Sequence, residues 1–329
     1  MISRIDPHDG NAFTDWYRAK RAGWLFEREG GAIISLDGLR GMVTLGRDDV
    51  RFQLYAAWEG DRIVGTLMVE LPLKENRRHA EVTVTVSPEH RNRGLGTRLL
   101  GEAERVMVEE DRTVALAEVP HPRGRTEQDW PSARFAAKHG FEVGQEEDTL
   151  TLDVPVGPGL LDGLRPDTAP YRLREWTGYC PDELVEAYAH LRTVMERDVP
   201  VGDLRVDPGL WDVARVRAME GRRAAVGTIT LITAAEAPSG ELVGFTVLFL
   251  PTVPGLAYQE DTLVVGEHRG RRLGMALKVH NLERLAGEYP DRSLVRTWNA
   301  VDNRHMLDIN LALGFRSEER FLELQRTGS

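Results

Sequence analysis

The sequence predicts an α+β protein made of two copies of one domain, each a mixed, mostly antiparallel sheet flanked by helices. Three observations lead there. Short stretches recur in one order at nearly one spacing: Gly65 in DRIVGTLMV and Gly244 in GELVGFTVL lie 179 residues apart, Arg91 in EHRNRGLGTRLL and Arg269 in EHRGRRLGMALK 178, and the Gly-Phe pairs at Gly140 and Gly314 174. Within each copy, period-two strand patterns give way to helical spacing. Between the copies, Pro155, Pro158, Pro166 and Pro170 alternate with Gly157, Gly159 and Gly163, which disfavours helix and ladder alike. The expected domains are therefore 1–155 and 170–329, joined by a linker over 156–169.

The elements follow in order. From Phe52, FQLYAAWEG turns at Gly60 and Asp61 into IVGTLMVEL, the pattern of an antiparallel hairpin. Residues 80–86, AEVTVTV, alternate strictly and predict another strand. Arg91 to Gly96 form a glycine-bearing turn, after which Leu99, Leu100, Ala103, Val106 and Met107 recur at helical spacing. VALAEV at 114–119 is a strand, and SARFAAKHGF a helix stopped by Gly140. The second copy repeats this with YQEDTLVV, a helix from Leu273 to Ala286, SLVRTW, and a helix capped by Asn303 that runs to Gly314. Leu184, Val185, Tyr188, Leu191 and Met195 describe an amphipathic helix with Pro181 in its first turn, which reads as core before it reads as a substrate-site edge.

Composition narrows the function classes. The chain has 329 residues, 41% hydrophobic and 29% charged, enough to bury two cores. Acidic residues outnumber basic ones by 52 to 42, a net charge of −10 that disfavours a nucleic-acid or anionic-membrane partner and suits a cationic small substrate. The single Cys180 excludes multi-cysteine metal frameworks and a disulfide within the chain, and no histidines pair at metal-ligand spacing, so no metal is expected. The start, MISRIDPHDG, has no signal-like apolar core, and no segment has the roughly 18 apolar residues of a membrane span, so the expected location is the cytoplasm. Zinc-protease, serine-hydrolase and P-loop motifs are absent from the sequence.

The sharpest motif runs from Val86 through Pro88 and Arg91 to Gly94 and Gly96. A glycine-bearing turn between a strand and a helix aims backbone N–H groups at one spot, where the helix dipole adds positive potential, so a pyrophosphate is the expected guest. These residues resemble the acetyl-CoA signature of the GNAT superfamily of N-acetyltransferases, V-x-P-x-x-Q/R-x-x-G-x-G/A. The duplication resembles the superfamily's tandem members, an architecture of which mycothiol synthase is an example. The resemblance covers residues 53–141 and 225–315. It implies a sheet splayed between its fourth and fifth strands, acetyl-CoA in the splay, and direct transfer of an acetyl group to a primary amine of a small molecule.

Carried over position by position, the resemblance gives acetyl-CoA contacts to Val84 and Val86 on the strand and to Arg91, Asn92, Arg93, Gly94, Leu95, Gly96 and Thr97 in the loop. In the second copy it gives them to Val264, Arg269, Gly270, Arg271, Arg272, Leu273, Gly274 and Asn303. Arg272 stands where the first motif glycine is expected. Glu260, with Asp261 beside it, best matches the family's base on the fourth strand; Glu81, near His79, is the first copy's equivalent, at opposite strand parity unless a bulge resets it. The family's acid, a tyrosine four residues before the Gly-Phe glycine, is replaced by Ala136 and Asn310. Trp298 and Asn299 end the preceding strand where an amine acceptor would lie. This gathering favours the C-terminal copy as catalytic, although the N-terminal loop is the more intact. The alternatives are a catalytically inactive acyl-CoA sensor or scaffold, and aminoacyl transfer from a charged tRNA, against which the acidic balance counts.

Overall fold

Successive residues of the first hairpin point to opposite sides: Leu54, Ala56 and Met68 are buried in one apolar cluster, Tyr55, Ala57, Leu67 and Val69 in another. A sheet buried on both faces needs helices on both, and each unit of the chain is built that way. The structure, a computed structural model, describes residues 1–28, 31–122, 124, 129–157 and 159–328; the boundary residue Pro158 lies outside them.

The chain divides into two units. One comprises Met1–Glu146, Val201–Asp207 and Glu319–Ser329; the other comprises Glu147–Pro200 and Pro208–Glu318. This differs from a clean break within 153–170. The strand β6 (Glu142–Asp153) runs through the division, and the chain's last strand, β12 (Arg316–Thr327), returns to the first unit. The linker itself contains the short helix α5 (Leu160–Leu164).

In the N-terminal unit, β1 (Ile2–Ile5), β2 (Val50–Glu59), β3 (Arg62–Pro72), β4 (His79–Val86), β5 (Val114–Pro122) and β12 lie side by side in that order. All neighbours are antiparallel except β4 and β5, which are parallel and pair only from His79–Val114 to Glu81–Leu116. Beyond Glu81 the two strands part. Helix α3 (Leu95–Glu109) covers one face through Leu99, Leu100, Ala103, Val106 and Met107, each large side chain contributing about 1.5–3 kcal/mol of burial. Helices α1 (Gly10–Trp24) and α2 (Leu36–Thr44) cover the other; Asp9 caps α1 by accepting from the N–H groups of Asn11 and Ala12. Helix α4 (Pro131–Lys138) follows β5. The 201–207 segment is tied to this unit by Asn76, which exchanges hydrogen bonds with Asp207, and by Gln325, whose Nε2 donates to Asp203 O at 2.7 Å.

The C-terminal unit repeats the arrangement with β7 (Arg172–Thr177), β8 (Ile229–Glu236), β9 (Leu242–Leu250), β10 (Leu256–Val264), β11 (Leu294–Ala300) and residues 147–153 of β6. Its parallel pair is β10 with β11. Helix α8 (Leu273–Glu288) packs on one face, while α6 (Val185–Asp198) and α7 (Val213–Ala225) pack on the other. Val185, Tyr188 and Leu191 of α6 are core, and the helix starts four residues beyond Pro181. Helix α9 (Arg304–Ala312) follows β11.

Candidate active site

Where β4 and β5 part, a cavity of about 430 Å³ opens in the N-terminal unit. Its walls are Val82, Val84, Thr85 and Val86 of β4, and Ala117, Glu118, Val119 and Pro120 of β5; its mouth is the loop from Arg91 to Thr97. The loop enters α3 through two left-handed residues, Asn92 (φ 60°) and Gly94 (φ 75°). The first helical bond is Arg98 N to Gly94 O at 3.1 Å, so the N–H groups of Leu95, Gly96 and Thr97 have no helical acceptor and face the mouth as a unit. Gly96 is needed for packing, because a Cβ there would lie 3.1 Å from the Phe135 ring.

The loop arginines divide. Arg91 turns back: its Nε donates to Val86 O at 3.2 Å and its Nη2 to Gly23 O at 3.0 Å, bracing the loop against β4 and α1. Arg269 does the same in the C-terminal unit, donating to Val264 O at 2.8 Å and pairing with Asp198 at 2.5 Å. Both guanidiniums, which the resemblance gave acetyl-CoA contacts, thus brace the loop through these bonds. Arg93 is exposed, Arg271 stands over the Tyr171 ring, and Arg272 is exposed with Nη2 3.4 Å from Leu164 O.

Below the cavity, on the α1 side of the sheet, three carboxylates converge. Glu81 is the direct ladder partner of Glu70, and Glu118 lies on β5 two residues past the last β4–β5 pair. Glu81 and Glu118 remain accessible to water but sit in a recess, and Glu118 reaches the cavity wall. Burial raises the Glu70 carboxyl above its ordinary range, and repulsion from Glu81 and Glu118 adds to this; burial likewise raises Glu81. Lys20 of α1 is 6% exposed, lies over the Trp16 and Trp24 rings, and is pulled down to about 8 by burial, opposed by Glu70 and Glu118. Trp24 and Arg28 also line the cavity; Arg28 is held by Glu319, Nε to Oε1 at 2.9 Å. Glu70, Glu118, Lys20 and Trp24 escaped the sequence reading, which searched the fourth strand alone for a base.

The C-terminal unit has a cleft of about 890 Å³ at the matching loop, lined among others by Thr262, Val264, Arg269, Gly270, residues 272–274, residues 302–306, Asp308 and Ile309. Here Gly270 (φ 77°) and Arg272 (φ 57°) are the left-handed pair, so Arg272 does occupy the place of Gly94. The cleft's lining stops at Thr262 and includes no β11 residue among those described. Past the last β10–β11 pair, Thr297 Oγ1 donates to Gln259 O at 2.9 Å and ties the strands together. A bulge between Gln259 and Thr262 contains Glu260 and Asp261. Glu260 is bonded to Arg223 at 2.7 Å and Asp261 to Arg192 at 2.5 Å. Burial raises the Asp261 carboxyl and Arg192 opposes it. Both carboxylates, expected at the place of the family's base, are held in ion pairs. Asn299, expected to line the site of the amine acceptor, is instead buried, its Nδ2 donating to Ala300 O at 2.8 Å and to Asn303 O at 3.3 Å. Trp298 is 40% exposed and stacks on Tyr258 with centroids 5.4 Å apart. Asn303 caps α9, accepting from Met306 N at 3.2 Å, and lines the cleft. Asn310 accepts from the buried Lys278 at 2.8 Å.

Comparison with known proteins agrees with this geometry. Residues 11–141 match the model of the "Acetyltransferase (GNAT) family". Among solved structures, a tandem GNAT protein from the clavulanic acid biosynthesis pathway is 26% identical, with a TM-score of 0.84 over 100% of this chain and 98% of that one. A GCN5-related N-acetyltransferase from Sphaerobacter thermophilus shares the fold at 16% identity, with a TM-score of 0.69 over 99% of this chain and 95% of that one. No curated protein matches the sequence. The family match and the tandem GNAT neighbour together support an acetyltransferase, with the splayed parallel strands and the helix-entry loop as its candidate site. Residues 11–141 thus match the GNAT family, and the chain as a whole is similar to a tandem GNAT protein, two GNAT-like units in one polypeptide.

Proposed function

We propose that the N-terminal unit carries out the acetyl transfer, from acetyl-CoA to a primary amine of a small cationic molecule, and that the C-terminal unit does not. The observation that carries this reading is the cavity running from the Leu95–Thr97 N–H groups, between the parted strands, to Glu118. Acetyl-CoA supplies the thioester that activates the acyl group. The residues present fit it: free N–H groups at the start of a helix for pyrophosphate, Gly94 and Gly96 without side chains in the way, and apolar strand walls for the arm. Glu118 draws an ammonium into the recess and takes the proton that leaves when the ammonium becomes a nucleophilic amine. The nitrogen lone pair then forms the C–N bond as the C–S bond breaks; the sulfur keeps that electron pair and takes the second nitrogen proton, so that a neutral amide and a thiol leave. In the C-terminal unit, the Thr297–Gln259 bond and the paired Glu260 and Asp261 argue against the same chemistry.

Thiol release from acetyl-CoA, measured with a panel of primary amines that includes 1,4-diaminobutane, lysine and glucosamine, tests the reading. Glu118→Gln is expected to lower kcat/KM by about 10²–10⁴-fold. Glu260→Gln is expected to leave it within about threefold. Saturable acetyl-CoA binding without turnover on any amine would favour a sensor instead.

A further inference from the structure

Trp130 and Thr85, in the wall of the N-terminal cavity, make no side-chain hydrogen bond among the described residues. Trp130 is 5% exposed and its indole N–H has no hydrogen-bond partner among the described residues; Thr85 is 6% exposed and its hydroxyl has none among them either. An indole N–H only donates, and buried donors in folded proteins are almost always met, so one left open in a cavity wall marks a place for an acceptor. The position of Trp130 sharpens this. It precedes the first residue of α4, where the C-terminal unit has Asn303 capping its helix at 3.2 Å. Trp130 makes no capping bond, and its ring packs with Ala133, Ala136 and Phe141 beside the splay. Thr85 faces the same cavity from β4. Between them the walls are apolar: Val82, Val84, Ala117 and Val119.

We infer that Trp130 is a positioning residue for the acyl donor, its indole N–H donating to a carbonyl oxygen of the amide-bearing arm while the Thr85 hydroxyl bonds the same arm from the β4 wall. The inference rests on the proposed function, which puts that arm in this cavity. The chemistry matches on both sides. The arm carries carbonyl acceptors and amide N–H donors, so a donor-only indole and a hydroxyl that both donates and accepts are each satisfied. In an otherwise apolar passage, two polar contacts fix the arm's rotation and depth, which decides whether the thioester arrives at Glu118.

The test follows the Trp130 indole N–H resonance of the full chain, assigned by triple-resonance spectroscopy, during titration with acetyl-CoA and with adenosine 3′,5′-bisphosphate, which lacks the arm. A downfield move with acetyl-CoA and none with the bisphosphate is expected. Calorimetry on Trp130→Phe and Thr85→Val should show acetyl-CoA affinity reduced about tenfold and bisphosphate affinity unchanged. An indole resonance unmoved at saturating acetyl-CoA would overturn the inference, as would variants that weaken both ligands equally. Should Trp130→Phe fail to fold, the wild-type resonance still decides. Turnover with an unmoved resonance defeats this inference and leaves the proposed function standing; absence of acetyl-CoA binding defeats both.

Discussion

Gly94 and Arg272 hold the same left-handed backbone conformation, φ 75° and 57°, at the residue before the long helix of each unit. The strained residue is the arginine, since a Cβ in this region meets the neighbouring carbonyl at a cost of about 1–2 kcal/mol. Arg272→Gly is therefore expected to stabilise the chain by about 1 kcal/mol, read from the denaturant midpoint at unchanged m. An unchanged or lower midpoint would mean that the contact of Arg272 with Leu164 O outweighs the strain.

Gly23 sets how close α1 comes to β4. A Cβ there would lie 2.9 Å from the Val86 carbonyl oxygen and collide with the Thr85 methyl. Gly23→Ala is expected to push α1 off the cavity wall, costing about 1–3 kcal/mol and lowering acetyl-CoA affinity. Calorimetry beside thermal denaturation checks both.

The loop and its helix were legible in the sequence because their signals are local: glycines, an Arg-x-x-Gly spacing and a 3.6-residue stripe. The carboxylate recess was not, because Glu70, Glu81, Glu118 and Lys20 come from three strands and a helix and meet only through pairing. The bulge was also hidden, and it reverses the parity argument. Tyr258, paired with Phe249 and Arg296, takes the ladder place that Glu81 holds opposite Glu70 and Leu116, so Glu81 is not the equivalent of Glu260. The exchange of end strands left no trace, since β6 and β12 read alike as alternating segments.

The recess predicts a pH signature. Glu70 holds its proton in the folded chain above the ordinary value of 4.5, so over that interval the folded state binds more protons than the unfolded one. Stability then falls as pH rises from 4.5 through the raised folded value, and the loss is complete above it. Glu70→Gln should remove this decline, so its stability relative to wild type improves between about pH 5 and pH 8.5. Parallel denaturation curves at both pH values would contradict the assignment.

Lys278 gives the opposite slope in the C-terminal unit. Burial pulls it to about 7, so between that value and 10.5 the unfolded chain binds the extra proton and stability rises with pH. Asn310, which accepts from Lys278, has an Nδ2 with no partner among the described residues. Replacing both partners by apolar groups, Lys278→Met with Asn310→Leu, is expected to flatten that slope and raise the melting temperature near neutral pH.

The central claim is that acetyl transfer occurs in the N-terminal unit, and one paired measurement bears on it most directly: thiol release by Gly96→Val and by Gly274→Val with the amine the wild type prefers. A side chain at Gly96 meets the Phe135 ring at 3.1 Å, whereas one at Gly274 meets Ile309 at 3.6 Å, an ordinary contact. Gly96→Val is expected to lose about 100-fold or more in kcat/KM, with Gly274→Val within about threefold of wild type. Full activity in Gly96→Val with loss in Gly274→Val would place the chemistry in the C-terminal unit and contradict the account.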